Sequence, residues 1–210
     1  LRTIPLGGTA IGTGFSAPRD FVYAEEKELR RITKLPLSRS QNLTDQVAHT
    51  DCLAECANGM GLCADNLYKF ASDLLLYTSS LCGEMKHSEL QYGSTIMPDK
   101  VNPVLLELIR GRCLECSALA KLTGEYSRGG QLQLNANVPF MALELLRMSA
   151  DLEQSLHVAS GLLLEKIEMK TDVMEAHLAS SAALLNVFRD VLGYTAIKEL
   201  LPKIRDARIA

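Results

Sequence analysis

Gly93-Ser94-Thr95-Ile96-Met97-Pro98-Asp99-Lys100-Val101-Asn102-Pro103 is the stretch on which the reading of this chain turns. A glycine opens it, and Asn102-Pro103 closes it with a helix-start signal, Asn at the N-cap and Pro at the first helical position. Between them stand two hydroxyls, a cation and an amide. The N–H groups at the head of the following helix have no partner within that helix and favour an anion, and Lys100 adds a positive charge. A carboxylate or an enolate-like anion is the natural occupant of such a place. The simpler account of the same residues is a surface loop in which Asn102 caps the helix and Lys100 is solvated, and residue pattern alone does not exclude it.

Outward from this stretch the chain reads as helix. Ala and Leu are abundant, β-branched residues are sparse, and no segment alternates with period two. Ahead of the stretch, residues 1–19 are loop-like, with Gly7, Gly8, Gly12, Gly14 and Pro18. A short charged helix is predicted from Asp20, as N-cap, to about Thr33, ended by Pro36. From Thr44 to about Ser79 a single long helix is expected. Val47, Leu53 or Ala54, Ala57, Met60, Ala64, Leu67, Phe70 or Ala71, Leu74 and Thr78 recur at three or four residues. Residues 80–102 break that pattern. A second long helix is predicted from Asn102-Pro103 to about Gly124, with Ser127-Arg128-Gly129-Gly130 as a loop. A third follows Pro139 to about Ser160. Shorter helices are expected at 172–180, 182–191 and 195–208, with Pro202 kinking the last. The fold class is therefore all-α. A long-helix bundle over 1–165, carrying the Gly93–Pro103 stretch, is followed by a small helical domain over 166–210. Three helices with such broad apolar faces call for further helices from another segment or another subunit.

Composition narrows the function classes. Lys plus Arg number 22 and Asp plus Glu 25, a formal charge of −3, which offers no electrostatic footprint for nucleic acid and no basic patch for a membrane surface. No apolar run is long enough to cross a bilayer as a helix. We expect no nucleic-acid or membrane partner and a cytoplasmic protein. The six cysteines include Cys52-x3-Cys56 and Cys113-x2-Cys116, each pair on one helix face. Reduced, half-buried thiols are the simpler reading, and we assign no metal site. Glu84, Glu89 and Asp99 near the signature stretch read as a solvated loop rather than a divalent-cation site. Gly12-x-Gly14-x-x-Ala17 lacks a preceding strand and is discounted as a nucleotide loop.

The stretch GSTIMPDKVNP closely resembles the GSS-x-MP-x-K-x-NP signature of the aspartase/fumarase superfamily. Two other stretches match in the expected order. Pro5–Gly14 is similar to the family's GGTA-x-GTG loop, and Gln131-Leu132-Gln133-Leu134-Asn135 is similar to its E/Q-LN segment. Thr50-Asp51-Cys52 and the Gly130–Asn135 segment lean towards the aspartate ammonia-lyases of that family. Fumarate hydratases are the nearest rival, and Leu106–Arg110 is also similar to the argininosuccinate lyase helix. The resemblance covers what would be the second half of a family member. Leu1 falls just before a mid-chain motif, so we expect a longer protein whose N-terminal domain and first bundle helices precede this chain and whose C-terminal domain continues beyond it.

The resemblance implies residue roles. Ser94 matches the serine that acts as general base, and Glu107, expected in the second turn of its helix, matches the acid that orients a catalytic-site His. Thr95, Ile96, Met97, Lys100 and Asn102 match positions that hold the substrate. The implied substrate is a small dicarboxylate, with no cofactor. The implied assembly is a homotetramer with composite active sites. Thr95 stands where the signature has a second Ser, which keeps the hydroxyl. Ser79–Gly83 replaces a Gly-Pro-Arg stretch, and Ser88 replaces a Pro, so the substrate stays open. The His that Glu107 would orient lies upstream of the GGTA-x-GTG loop in the family. His49, His87, His157 and His177 do not match it; His49 and His157 read as helix residues, and His87, in the loop before Ser94, as a candidate substrate contact. Thr9 or Thr13 is a further candidate for contact with a neighbouring site. We expect the 210-residue chain alone to be inactive. The reading from another class is a non-catalytic helical scaffold, against which Ser94, Lys100, Asn102 and Glu107 stand together.

Overall fold

The computed structural model describes residues 3–87, 102–181, 185 and 187–209. Its elements in chain order are β1 (Thr3–Ile4), α1 (Phe21–Thr33), β2 (Ser38–Arg39), α2 (Leu43–Ala48), α3 (Asp51–Thr78), β3 (Met85–Lys86), α4 (Val104–Arg128), α5 (Val138–His157), β4 (Glu168–Met169), α6 (Thr171–Ser180) and α7 (Arg189–Ile209). The architecture is all-α. Its strands are two-residue pairings, β1 parallel to β2 and β3 antiparallel to β4.

The core is the seam between α3, α4 and α5. The buried positions of α3 are Ala57, Gly61, Ala64, Leu67, Ala71 and Leu74; those of α4 are Leu106, Ile109, Cys113, Cys116, Ala120 and Thr123. Both series step by three and four, the spacing that keeps one stripe of a helix against a partner. The α3 stripe is built of small residues, which lets the axes approach: a Cβ placed on Gly61 would come within 2.9 Å of the Ala120 Cβ. Where Phe70 and Ala71 were equal candidates for the stripe, Ala71 is buried and Phe70 is 37% exposed. From α5, Met141, Met148 and Leu152 close the seam, with buried Glu144 paired to Arg147 at 3.2 Å. Among the described residues nothing covers the other faces. Leu62, Leu76, Leu114, Leu143 and Leu146 are all more than half exposed, and α1 buries no residue at all.

Several boundaries differ from the predicted ones. The single helix expected over 44–79 is two. α2 is capped by the Asn42 side chain, which accepts from the Asp45 N–H, and it ends at an extended His49 (φ −112°, ψ 130°). α3 then starts afresh after Thr50. His49 is thus a helix-ending residue rather than a helical one. The α4 start is shifted by one. Pro103 sits at φ −80°, ψ 55° and the Val104 N–H donates to the Asn102 carbonyl at 2.9 Å. That is an inverse γ-turn centred on the proline, so Pro103, not Asn102, precedes the first helical residue. α4 runs on through Ser127 and Arg128, past the expected stop at Gly124, and Gly129 ends it. α5 ends at His157, and Val158–Leu163 continues as a wider π-helical segment. In the C-terminal part the break falls where it is expected, between the helices predicted at 182–191 and 195–208, at Gly193 (φ 72°, ψ 160°), a backbone conformation that only glycine adopts readily; residues 182–184 and 186 lie outside the described residues. Pro202 lies inside the helical run, where it removes one hydrogen bond without ending the helix. No described helix is long and apolar enough to cross a membrane.

All six cysteines are free thiols. Burial in the α3–α4–α5 seam, together with the neighbouring negative groups, pushes the Cys113 and Cys116 thiols up to about 11. A raised thiol pKa leaves the unreactive protonated form dominant below it, so at pH 8 only about one molecule in a thousand carries the thiolate. Cys113 and Cys116 are therefore expected to resist alkylation at pH 8 until urea unfolds the chain, as read by mass spectrometry. Rapid labelling of either in the native protein would contradict this packing.

Candidate active site

α3 and α4 run antiparallel, which sorts the motifs between two ends of the bundle. At the α4 head lie Asn102 and Pro103, the last two residues of the signature stretch. Asn102 is half-buried. It lines one small cleft with His87, Leu106 and Leu163. Among the described residues the first helical pairing of α4 is Glu107 N–H to Pro103 O at 3.1 Å, so the Leu105 and Leu106 N–H groups before it have no partner within α4 and present the positive end of the helix dipole. Glu107 is exposed and stands in the first turn of α4, not the second. Ser94, Thr95, Ile96, Met97 and Lys100 lie outside the described residues, as do Glu89 and Asp99. Glu84 is described, and its partner is His177 of α6, Nδ1 to Oε1 at 2.8 Å.

The opposite end gathers the other three matched stretches. Asn135 is 3% exposed. Its side-chain amide donates to Thr50 Oγ1 at 3.0 Å, to the Tyr126 carbonyl at 3.1 Å and to the Ser127 carbonyl at 2.9 Å. Its Oδ1 accepts from the Asn137 N–H at 2.9 Å. Thr50 Oγ1 donates in turn to Ser127 Oγ at 3.1 Å. The start of α3, the end of α4 and the 129–137 turn are thereby tied together. A cleft of about 410 Å³ opens beside them, lined by Pro5, Gln46, His49, Thr50 and Asn135 among others. The glycine loop docks nearby by close backbone approach: a Cβ on Gly12 would lie 2.4 Å from Thr44 Cα. Thr9 and Thr13 are engaged within that loop, Thr9 Oγ1 donating to the Gly8 carbonyl and Thr13 Oγ1 accepting from the Phe15 N–H.

The matched stretches of Pro5–Gly14, Thr50–Cys52 and Gln131–Asn135 thus meet, while the signature stretch ends at the other end of α4. That helix has 25 residues and spans about 38 Å at 1.5 Å per residue. A four-carbon dicarboxylate cannot bridge that distance. Sequence reasoning identified Asn135 and Thr50 as motif residues but missed Ser127 and Asn137 as their partners. The polar run from Ser127 to Asn137 was the available signal.

A family model described as "Lyase" matches residues 2–117, more than half of the chain. The chain belongs to the aspartase/fumarase superfamily of lyases. Among curated members of this superfamily, a fumarate hydratase class II of Prochlorococcus marinus is 32% identical over 197 residues, covering 92% of this chain and 42% of the relative. An aspartate ammonia-lyase of Bacillus subtilis is 31% identical over 199 residues, covering 93% and 42%. In the solved structures, a fumarate lyase:delta crystallin from Brucella melitensis bound to cobalt superposes with a TM-score of 0.90 at 28% identity, over 98% of this chain and 45% of that one. The chain spans less than half the length of the superfamily members it matches.

Proposed function

We propose that this chain supplies the signature-stretch part of the active site of a lyase that releases fumarate and ammonia from L-aspartate. The observation that carries the reading is the head of α4: Asn102 and the N–H groups that have no partner within that helix directly follow a segment that contains Ser94 and Lys100. In this reading Ser94, as the alkoxide, removes the proton from the carbon next to one substrate carboxylate. The electrons move into that carboxylate and give a dianionic aci-carboxylate. Lys100, Asn102 and the helix dipole complement this species more strongly than the ground-state carboxylate, the condition for lowering the barrier. Collapse of the aci-carboxylate forms the carbon–carbon double bond and expels ammonia from the neighbouring carbon. A free serine is too weak an acid for the role unless donors and positive charge stabilise its alkoxide away from water. Thr95, Ile96 and Met97 follow Ser94, and their backbone N–H groups can supply such donors. Glu107 orients a His from outside this chain. The length of α4, about 38 Å between the Asn102–Pro103 end and the Thr50–Asn135 cluster, supports sites completed by different copies, and the resemblance implies that the assembly is a homotetramer.

L-Malate, losing water instead of ammonia, is the second reading. The resemblance to a fumarate hydratase at 32% identity favours it as much as the aspartate ammonia-lyase at 31% favours the first. Full-length protein is incubated with each substrate while fumarate absorbance is followed. Turnover of L-aspartate is the expected result, and turnover of L-malate alone transfers the assignment to the second reading. Fumarate from neither rules out both. The 210-residue chain alone is expected to be silent in both assays.

A further inference from the structure

We propose that Cys82, Glu84 and His177 form a zinc-binding site that ties α6 to the turn following α3. One ligand atom from each, the Cys82 Sγ, a Glu84 carboxylate oxygen and a His177 ring nitrogen, lies within 4.8 Å of the other two. Among the described residues no other trio of Cys, His, Asp or Glu meets that spacing. The backbone builds the arrangement from both sides. After α3, the Cys82 and Gly83 N–H groups both donate to the Ser79 carbonyl, at 3.2 and 2.8 Å. Gly83 takes a left-handed conformation (φ 67°) that closes this turn. Beyond it β3 pairs with β4, Met85 opposite Met169 and Lys86 opposite Glu168. The Lys170 N–H donates to the Glu84 carbonyl at 2.8 Å, just ahead of α6. Residues far apart in the chain are thus held by main-chain bonds before any side chain is considered.

The donor chemistry selects the ion. A thiolate, an imidazole and a carboxylate suit zinc, whereas magnesium and calcium take oxygen ligands. Tetrahedral zinc with Zn–S of about 2.3 Å and Zn–N or Zn–O of about 2.0–2.2 Å places its ligands roughly 3.3–3.7 Å apart. The ligand atoms lie within 4.8 Å of one another, so binding calls for the side chains to adjust onto the ion. Three protein ligands leave a fourth position to water. Cys82 and Glu84 are half-buried and His177 is exposed, so the ion enters from the rim. Binding releases the Cys82 proton and replaces the His177–Glu84 hydrogen bond with two metal bonds, which makes affinity fall at low pH.

The test uses full-length protein, stripped with a chelator and titrated with Zn²⁺ and, separately, with Co²⁺ as a spectroscopic substitute. The expected result is a Zn²⁺ stoichiometry that drops by one per chain in Cys82→Ser. Co²⁺ should give a thiolate-to-metal charge-transfer band that Cys82→Ser removes. His177→Gln should weaken zinc binding at this site at least tenfold while the metal-free variant keeps the parent's circular dichroism and unfolding temperature. A zinc stoichiometry and cobalt band unchanged in Cys82→Ser would overturn the site, as would a zinc affinity that His177→Gln leaves untouched. None of these readouts depends on turnover, so the site stands or falls separately from the proposed lyase reaction.

Discussion

Full-length protein carrying Ser94→Ala is expected to lose about 10²–10⁴-fold in kcat, the range for a positioned general base, with KM nearly unchanged. That corresponds to about 3–5 kcal/mol of barrier at 1.36 kcal/mol per factor of ten. The split between kcat and KM is what assigns the role. A residue that only holds the substrate acts equally on ground state and transition state, so its loss raises KM and spares kcat. A base acts only where the proton moves. Removing one oxygen adds no volume, so the variant is expected to stay folded, and an unfolding temperature near the parent's separates lost chemistry from lost structure. Lys100→Met in the same protein gives a useful contrast. If the ammonium complements the aci-carboxylate beyond the ground state, its loss lowers kcat and raises KM together. A Ser94→Ala enzyme that keeps kcat within about threefold of the parent would remove Ser94 from proton abstraction.

How much of this was legible in the sequence depends on how far each determinant sits from the residue it governs. The α3 stripe is readable because a helix repeats its buried face every three or four residues, and that spacing is local. The start signals at Asp20 and Asn102-Pro103 are readable to within a residue for the same reason, whereas the stop expected at Gly124 falls four residues short of the end of α4 at Arg128. The break between α2 and α3 is not readable. Nothing between Val47 and Leu53 forbids a continuous helix. The chain breaks at His49 and Thr50, where the Thr50 hydroxyl is held by Asn135 and Ser127, 85 and 77 positions away. The one-residue shift at Pro103 arises because proline there closes a γ-turn instead of opening the helix. The signature stretch was legible as a motif, and its closing residues sit where a helix head can face an anion. That these closing residues, Asn102 and Pro103, lie a helix length from the other matched stretches follows from the antiparallel path of α3 and α4, which no local pattern encodes. The Cys82–Glu84–His177 cluster was invisible for the same reason: Glu84 was read with Glu89 and Asp99, whereas its partner comes from α6, 93 positions on.

Asn135→Ala is expected to cost about 3 kcal/mol of stability, more than a surface asparagine can account for. The side chain is buried and serves four groups on three segments: Thr50 Oγ1, the Tyr126 and Ser127 carbonyls, and the Asn137 N–H. A net hydrogen bond contributes about 0.5–1.5 kcal/mol, but a buried partner left unsatisfied costs about 1–3 kcal/mol. Not every partner is orphaned. The Tyr126 carbonyl still accepts from Asn137 Nδ2 at 3.2 Å and from the Gly129 N–H at 3.2 Å, and Thr50 still donates to Ser127 Oγ. The Ser127 carbonyl and the Asn137 N–H, both on half-buried residues, lose the contacts that tie the turn to the helix ends, so the lost bonds, the partial exposure of these two groups and the lost packing together set the scale. Asn135→Asp tests the direction of the bonds. It keeps an acceptor for the Asn137 N–H but turns the donor end into a carboxylate oxygen facing three other oxygens, so it is expected to destabilise at least as much as alanine. Asn137→Ala, which leaves the Asn135 contacts in place, is expected to cost about 1 kcal/mol. Urea unfolding at fixed protein concentration and equal m-value ranks the three, since subunit association shifts the midpoint with concentration. An Asn135→Ala loss below about 1 kcal/mol, or an Asn135→Asp protein as stable as the parent, would mean that the Thr50–Asn135 tie does not hold this end of the bundle, and that the α2–α3 break has another cause.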